Sequence, residues 1–176
     1  GDRDAGDSPG LGIMKSTNGG TTWTQINSGL GNYTVGMMVM NKFNNNILLA
    51  ATSNGIYKTV NGGATWVKKS SNSVHYKDIK YHPTDTNIVY AVENSLFYRS
   101  TDAGNTFTVI SGNATSNLPV GTRAVIGVSP AAPNFVYVVL ANNTYKGTYL
   151  SRDKGVTFVT KSTTPNIFDY SNNGSG

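Results

Sequence analysis

Three aspartates lie close together at the start of the chain, in the stretch GDRDAGD. Asp2, Asp4 and Asp7 place three carboxylates within six residues, and clustered oxygen ligands are what Ca²⁺ prefers. The pattern D-x-D-x-G partly resembles a calcium loop, although Gly6 stands where a further oxygen ligand is expected and no Glu closes the loop. Two interpretations of residues 1–10 follow, a calcium site and an ordinary acidic surface loop.

Few other carboxylates are available for acid–base chemistry. Glycoside hydrolysis requires a suitably spaced pair of carboxyl groups, and outside the repeated turns described below only Asp78, Asp85, Glu93 and Asp169 remain. Asp78 lies on a predicted inner strand, where it could point into a central channel. Asp85 lies in a turn, where solvent is expected to surround it, and Asp169 has no visible partner. The sequence therefore shows no catalytic pair.

The two histidines do not form a metal motif. His75 and His82 flank one predicted strand, and the chain has no Cys and no third His. Zinc normally takes three or four ligands. His82 precedes Pro83, which favours a role in the turn. No phosphate-binding loop, dinucleotide fingerprint or Ser-His-Asp context accompanies them.

An octapeptide, STNGGTTW, combines hydroxyl, amide, glycine and aromatic groups, and it returns as TVNGGATW, STDAGNTF and SRDKGVTF. The shared pattern is Ser/Thr, any residue, Asp/Asn, any residue, Gly, any residue, Thr, aromatic. Its first, third, fifth and eighth positions are Ser16, Asn18, Gly20 and Trp23; Thr59, Asn61, Gly63 and Trp66; Ser100, Asp102, Gly104 and Phe107; and Ser151, Asp153, Gly155 and Phe158. Four equivalent copies indicate a structural turn, because an active site would need only one.

Each residue type in this box suits a hairpin turn. The Asp or Asn side chain accepts hydrogen bonds from turn N–H groups, and the Gly supplies a positive φ. The first Ser or Thr can bond back across the hairpin, and the aromatic is expected to be buried between neighbouring sheets. Asn18 and Asn61 carry no charge, which excludes acid–base catalysis by those copies.

The repeat predicts the fold. The box aromatics are 43, 41 and 51 residues apart, and a second landmark, an Asn before a β-rich run, recurs in step as NKFNNNILLA, HPTDTNIVYA and SPAAPNFVYV. Each period reads as four short strands rich in Val, Ile, Tyr, Phe and Thr, and no segment shows a sustained helical period. The chain is therefore predicted to be all-β, a β-propeller made of four-stranded antiparallel blades.

The blades divide the chain into segments, and about three and a half blades are present. The segments are 1–10, an acidic N-terminal loop; 11–32, the last two strands of a blade; 33–72, 73–117 and 118–163, whole blades; and 164–176, the start of a next blade or a tail. A closed propeller typically uses about four to eight blades. The chain is thus predicted to be part of a larger propeller or, alternatively, a small ring closed by strand exchange between copies.

The boxes resemble Asp-boxes, also called BNR repeats, which occur in sialidases, sortilin-type propellers, xyloglucan-cleaving glycoside hydrolases and large secreted bacterial proteins. The resemblance extends over residues 11–162, and it implies that the boxes lie on the rim, away from any substrate. The two ends of the chain also resemble secreted proteins that carry a type IX secretion sorting domain, although no such domain is present. A sialidase would show three arginines around a carboxylate and a Tyr–Glu pair. Four arginines exist, Arg3, Arg99, Arg123 and Arg152, without an evident Tyr–Glu pair.

Composition indicates where the protein occurs and which kinds of partner it could bind. Charged residues are 13% of the chain, and the abundant Asn, Thr, Ser and Gly favour a secreted or cell-surface bacterial protein. The net charge of +5 is spread along the chain. Its densest patch contains Lys68, Lys69, Lys77 and Lys80 with Asp78 among them, which does not indicate nucleic-acid binding. No apolar run reaches the roughly 20 residues of a membrane helix, so membrane insertion is not expected.

These observations predict a non-catalytic scaffold or recognition segment that binds a glycan, a polymer or a protein partner. Its partners would include the remainder of its own propeller or another protein chain, and Ca²⁺ is the one cofactor considered. Tyr76, Tyr81 and Tyr145 could stack on sugar rings. The alternative is part of a propeller glycoside hydrolase whose active site is completed by further blades. A hydrolase should bring two carboxylates from different blades to one end of the channel, whereas a scaffold should not.

Overall fold

The computed structural model describes residues 11–94, 96–142 and 144–167. Every regular element in these residues is a strand: β1 (Met14–Lys15), β2 (Thr24–Gln25), β3 (Val35–Asn41), β4 (Asn44–Thr52), β5 (Gly55–Thr59), β6 (Val67–Lys68), β7 (Asp78–Tyr81), β8 (Val89–Val92), β9 (Phe97–Ser100), β10 (Thr108–Val109), β11 (Arg123–Val128), β12 (Val136–Asn142), β13 (Thr144–Ser151) and β14 (Val159–Ser162). No helix that could cross a membrane occurs in this part of the chain. The all-β prediction is confirmed.

The strands form four sheets in chain order. Blade 1 is the two-stranded sheet β1–β2, and blades 2, 3 and 4 are the four-stranded sheets β3–β6, β7–β10 and β11–β14. Neighbouring strands within each blade are consecutive in the sequence and antiparallel. This is the predicted propeller segment of three and a half blades. The predicted start of a next blade in residues 164–176 lies mostly outside the described residues.

Strand burial follows position within a blade. Strand β11 alternates between exposed and buried residues along most of its length, as a strand with one covered face does. All residues of β5 and β8 are buried, because these middle strands have a neighbouring sheet on both faces. The apolar runs of the sequence therefore mark the middle of each blade.

The hydrophobic core lies between the blades. Three clusters are formed mainly by side chains of two successive blades each: Ile13, Leu30, Ala50, Tyr57 and Trp66 join blades 1 and 2; Leu49, Ile56, Tyr76, Ile79 and Val89 join blades 2 and 3; and Tyr90, Phe97, Ile126, Val138 and Phe158 join blades 3 and 4. Each blade thus depends on its neighbours for burial, as in other repeat proteins.

A hydrogen bond connects the two landmarks of the repeat. The backbone N–H of the fourth box residue donates to the carbonyl of the landmark Asn in the same blade, in the pairs Gly62–Asn46 at 2.9 Å, Ala103–Asn87 at 2.8 Å and Lys154–Asn134 at 3.0 Å. The two landmarks keep a common period because they contact each other. These bonds define one end of the molecule, which we call the box end. The opposite end holds the β8–β9 hairpin and the starts of β3, β7 and β11.

Candidate functional site

The box is a closed network of hydrogen bonds. In the second copy, Thr59 Oγ1 accepts the N–H groups of Asn61 at 3.3 Å and Gly63 at 3.0 Å and donates to Asn61 Oδ1 at 2.9 Å. Asn61 Oδ1 also accepts the N–H of Thr65 at 2.9 Å. The same bonds recur in the other three copies. The first hydroxyl therefore bonds within the turn. The sequence pattern had suggested a bond back across the hairpin instead.

The Asp and Asn copies differ in the hydrogen bonds of this side chain. In the Asp copies Oδ1 also accepts the N–H of the sixth box residue, Asn105 at 2.9 Å or Val156 at 3.2 Å. Asn61 Nδ2 donates to Thr65 Oγ1 at 2.9 Å, whereas the hydroxyl of Thr106 donates to Asp102 Oδ2 at 2.7 Å. Desolvation opposes ionisation of Asp102, but the bonds from Thr106, Ser100 and Asn105 outweigh it and lower its pKa to about 2. A carboxylate held ionised in this way stabilises a turn and is unsuited to act as a general acid.

The pH dependence of stability tests this assignment. A lowered folded-state pKa contributes stability that is complete above the unfolded value, near 3.9, and is lost as pH falls through about 2. We expect the unfolding free energy of the wild type to fall more steeply between pH 4 and pH 2 than that of Asp102→Asn, measured by urea denaturation. The converse variant Asn61→Asp should steepen the fall. Parallel curves for all three proteins would contradict the assignment.

The fourth box residue also has a left-handed backbone conformation. Gly19, Gly62, Ala103 and Lys154 have φ of 67°, 66°, 57° and 60°, and each precedes a box glycine whose φ is also positive. The sequence pattern predicts a positive φ at the fifth position only. The glycines at the fourth position of the first two copies were the available signal.

The box glycines touch the preceding blade. A Cβ at Gly63 would lie 2.3 Å from Ile26 Cδ1 of blade 1, and a Cβ at Gly104 would lie 2.9 Å from Leu49 Cδ1 of blade 2. A Cβ at Gly155 would likewise lie 2.9 Å from Tyr90 of blade 3. Glycine is therefore required at these positions by close packing as well as by φ.

The box aromatics also contact the preceding blade. Trp66 is 3% exposed, and its Nε1 donates to Ile26 O of blade 1 at 2.8 Å. Phe158 is 2% exposed against Phe97 of blade 3, and Phe107 is partly buried. Trp23 is 59% exposed, so the prediction that every box aromatic is buried fails there. The reason is that the described residues form no sheet on the outer side of blade 1.

Asp78 connects two blades. Its side chain is 7% exposed, Oδ2 accepts the N–H of Ile126 in β11 at 3.2 Å, and Oδ1 lies 3.0 Å from Lys80 Nζ. The sequence pattern suggested that this carboxylate could point into the central channel. The structure instead uses it to hold the inner strands of blades 3 and 4 together.

The other candidate carboxylates either have structural partners or lie outside the described residues. Glu93 is 9% exposed and accepts the hydroxyl of Tyr98 at 3.5 Å, and Asp85 accepts the N–H of Asn87 at 3.0 Å at the box end. The calcium candidates Asp2, Asp4 and Asp7, together with Asp169, lie outside the described residues. Within the described residues no group of three or more His, Asp or Glu side chains could hold a metal ion.

His82 has the turn role that its position before Pro83 predicted. The ring is 1% exposed, and Nδ1 accepts the N–H groups of Thr84 at 3.2 Å and Asp85 at 3.1 Å. Burial, followed by the charge of Lys154, lowers the pKa of His82, which keeps Nδ1 available as an acceptor.

Cations gather at the opposite end. His75 Nδ1 lies 2.9 Å from Lys77 Nζ, just before β7, and Arg123 begins the adjacent inner strand β11. Desolvation and the Lys77 charge lower the pKa of His75, and desolvation and the Arg123 charge lower the pKa of Lys77. We call these three side chains the basic cluster. In the sequence Lys77 is grouped with Lys80 instead, because Arg123 comes close to Lys77 only after blades 3 and 4 stack.

The blades and their boxes define an Asp-box β-propeller. Residues 12–118, more than half of the chain, match the model of the Sortilin-Vps10 family, described as "Sortilin, neurotensin receptor 3". The chain therefore belongs to the Sortilin-Vps10 family. No curated protein matches the sequence significantly.

Solved structures of several propellers share the fold. An ancestral GH74 enzyme is 18% identical with a TM-score of 0.69, over 86% of this chain and 21% of its own length. The GH74 xyloglucanase from Xanthomonas campestris is 13% identical with a TM-score of 0.65, over 87% and 27%. YCF48 from Cyanidioschyzon merolae is 16% identical with a TM-score of 0.54, over 73% and 37%. The chain thus spans well under half of the length of each of these proteins.

Proposed function

We propose that this chain is a non-catalytic recognition segment of a secreted or cell-surface bacterial propeller, and that it binds an anionic glycan or peptide at the basic cluster. The observation that carries this proposal is the chemistry of the opposite end. The described side chains there offer the cations of Lys77 and Arg123 beside the imidazole of His75, while Asp78 and Glu93 are occupied in structural contacts.

The electrostatics of the cluster favour an anion. Desolvation, followed by the charge of Lys77, lowers the pKa of His75, and desolvation, followed by the charge of Arg123, lowers the pKa of Lys77. The charges of Lys77 and Arg123 therefore repel each other. A carboxylate, sulfate or phosphate group between them would remove this repulsion, and an Arg guanidinium can bind such a group with two parallel hydrogen bonds. The cluster is therefore more stable with an anion bound.

The scaffold holds the cluster in place. Arg123 begins the inner strand β11, and Lys77 directly precedes the inner strand β7, where its N–H donates to Val92 O at 2.8 Å. The bond from Ile126 N–H to Asp78 Oδ2 connects these two inner strands. Groups placed on sheet strands are positioned more firmly than groups on loops, which reduces the entropy lost on binding. The arrangement suits recognition of a fixed spacing of negative charges along a polymer.

Propellers of this fold serve both candidate roles. One YCF48 structure is bound to a D1 peptide, whereas the GH74 relatives are enzymes. The alternative for this chain is therefore part of a GH74-like hydrolase whose carboxylates come from further blades. The fold similarity supports it, but the described residues contribute no free carboxylate pair to it.

Binding of dextran sulfate, measured by isothermal titration calorimetry, tests the proposal. We expect the double variant Lys77→Ala/Arg123→Ala to bind about tenfold more weakly than the wild type, because both charged donors are lost. The control Arg152→Ala/Lys161→Ala removes two exposed charges outside the cluster and should weaken binding by less than about twofold. Neutral dextran should not bind.

Two results would contradict the proposal. Equal weakening by the two double variants would mean that net charge alone attracts the polyanion. Tighter binding of neutral xyloglucan oligosaccharides than of dextran sulfate, retained in Lys77→Ala/Arg123→Ala, would favour the hydrolase alternative.

A further inference from the structure

A cleft lies between blade 4 and the segment that connects it to blade 3. Its volume is about 470 Å³, and ligand pockets commonly measure about 300–1,000 Å³. None of the described residues that line it is charged, and they include Asn113, Asn117, Leu118, Pro119, Tyr149 and Thr160. Tyr149 also belongs to the core between blades 3 and 4, so the cleft is part of a junction that both blades complete.

Tyr149 has an equivalent in each of the two preceding blades. Tyr57, Tyr98 and Tyr149 each lie two residues before a box, and each belongs to the core shared with the preceding blade. All three are buried, with 5% to 6% of the residue exposed. The surroundings of the three tyrosines can therefore be compared directly.

Two of these tyrosines are covered by a second tyrosine from the connecting segment. The ring centroids are 6.1 Å apart in the pair Tyr33–Tyr57 and 5.2 Å apart in the pair Tyr76–Tyr98. Tyr33 and Tyr76 are each the second residue before an inner strand, and Gly121 occupies that place before β11. Because glycine has no side chain, the third connecting segment offers no ring to Tyr149 at this place.

An asparagine completes the covered arrangement at the junction of blades 2 and 3. The Tyr76 hydroxyl donates to Asn72 Oδ1 at 3.0 Å, and Asn72 Nδ2 donates to the hydroxyl oxygen of Tyr98 at 3.2 Å. A buried tyrosine hydroxyl usually finds such a partner. Asn72 thus joins the two tyrosines through its amide.

The third junction contains an asparagine and one tyrosine but not the second tyrosine. The hydroxyl of buried Tyr149 makes no hydrogen bond with the described residues, whereas that of the neighbouring Tyr145 contacts Thr148 and Ser162. Asn117 lines the same cleft, is exposed and has a φ of 55°. A buried polar group without a partner costs free energy. The group that the cleft lacks is a ring that carries a hydroxyl.

We propose that this cleft, here called the tyrosine cleft, binds a tyrosine side chain of a partner protein. The incoming ring takes the place over Tyr149 that Tyr76 has over Tyr98, and the amide of Asn117 joins the two hydroxyls as Asn72 does. A neutral sugar is a poorer occupant, because sugar rings stack on exposed aromatic faces and Tyr149 is 5% exposed. The tyrosine cleft contains no residue of the basic cluster, so this inference does not depend on the proposed anion.

Titration with three short peptides, followed by the backbone amide signals in NMR spectra, tests the proposal. The probes are acetyl-Gly-Tyr-Gly-amide and its counterparts with Phe or Ala in the central place. We expect the Tyr peptide to shift the signals of Gly112, Asn113, Ala114 and Asn117 and to bind about fivefold more tightly than the Phe peptide, since one hydrogen bond distinguishes them. The Ala peptide should not shift these signals.

Two variants remove the groups that recognise the hydroxyl, and a third is the matched control. Tyr149→Phe keeps the ring, and Asn117→Gly keeps the left-handed backbone. Each should reduce the preference for the Tyr peptide to less than about twofold without changing the affinity for the Phe peptide. The control Tyr57→Phe removes the equivalent hydroxyl where Tyr33 already covers the ring, so the preference should stay at about fivefold.

Four results would overturn the proposal. The first is the absence of shifts at these amides up to the solubility limit of the Tyr peptide, and the second is an equal affinity for the Tyr and Ala peptides. The third is a loss of preference in Tyr57→Phe as large as that in Tyr149→Phe. The fourth is binding of methyl glucoside or cellobiose at the same amides more tightly than the Tyr peptide. A rise in affinity in Tyr170→Ser would instead show that the C-terminal segment of the chain itself fills the cleft, which would overturn the choice of a separate partner.

Discussion

Replacing Trp66 by alanine is expected to lower the free energy of unfolding by about 3–5 kcal/mol. The side chain is 3% exposed and lies in the core between blades 1 and 2, and its ring N–H bonds to Ile26 O at 2.8 Å. The substitution removes the apolar burial, opens a cavity between two sheets and leaves Ile26 O without this donor. Urea denaturation followed by circular dichroism measures the loss.

Trp23 provides the matched control, because it occupies the same place in the first box. It is 59% exposed and bonds only within its own turn, so Trp23→Ala should cost less than about 1 kcal/mol. A similar loss for both variants would mean that the tryptophan stabilises the turn itself and not the junction between blades.

Gly63→Ala is expected to cost about 2–4 kcal/mol, the second largest effect. The residue has φ of 92°, which costs an alanine about 1–2 kcal/mol. The new Cβ would also lie 2.3 Å from Ile26 Cδ1, and such overpacking costs typically about 1–3 kcal/mol. Thermal and urea unfolding of the purified variant give the value.

Gly20→Ala separates the two causes of this loss. Gly20 has the same φ of 92°, but a Cβ there would meet only Trp23, at 3.8 Å. This variant should therefore lose only the conformational part, about 1–2 kcal/mol. Equal losses at the two positions would show that the contact with blade 1 contributes nothing, which contradicts the account of the junction.

The chain is a row of similar junctions between blades. In such proteins stability is approximately a sum of the units and the interfaces between neighbours. Positions that are equivalent in sequence, such as Trp23 and Trp66, then differ in energy only through the neighbour that covers them. For this reason a variant at one position can be compared with the same variant at its equivalent position in another box.

Local chemistry made much of the fold predictable from the sequence. Each box binds its own N–H groups within eight residues, as Thr59 and Asn61 do, so its pattern alone identifies the turn. The strands between the boxes follow from β-branched and aromatic runs, such as the run GIYKT that forms β5.

The candidate site was less predictable, because it depends on contacts between blades. The sequence predicted the turn role of His82, which is local, but it indicated only that Asp78 could point into the channel, whereas that carboxylate bonds to Ile126 of the next blade. The sequence pattern also did not predict that Arg123 lies near Lys77. The spacing of residues along the chain does not say which side chains meet when two sheets stack.

The sequence by itself therefore determined the repeat, the turns and the all-β class, since these follow from interactions within a few residues. The tertiary structure alone decided which box is covered and which cations are grouped at the opposite end. Trp23 and Trp66 share one motif, yet one is exposed and the other buried. The physical reason is that burial depends on the neighbouring sheet, and a motif does not encode its neighbour.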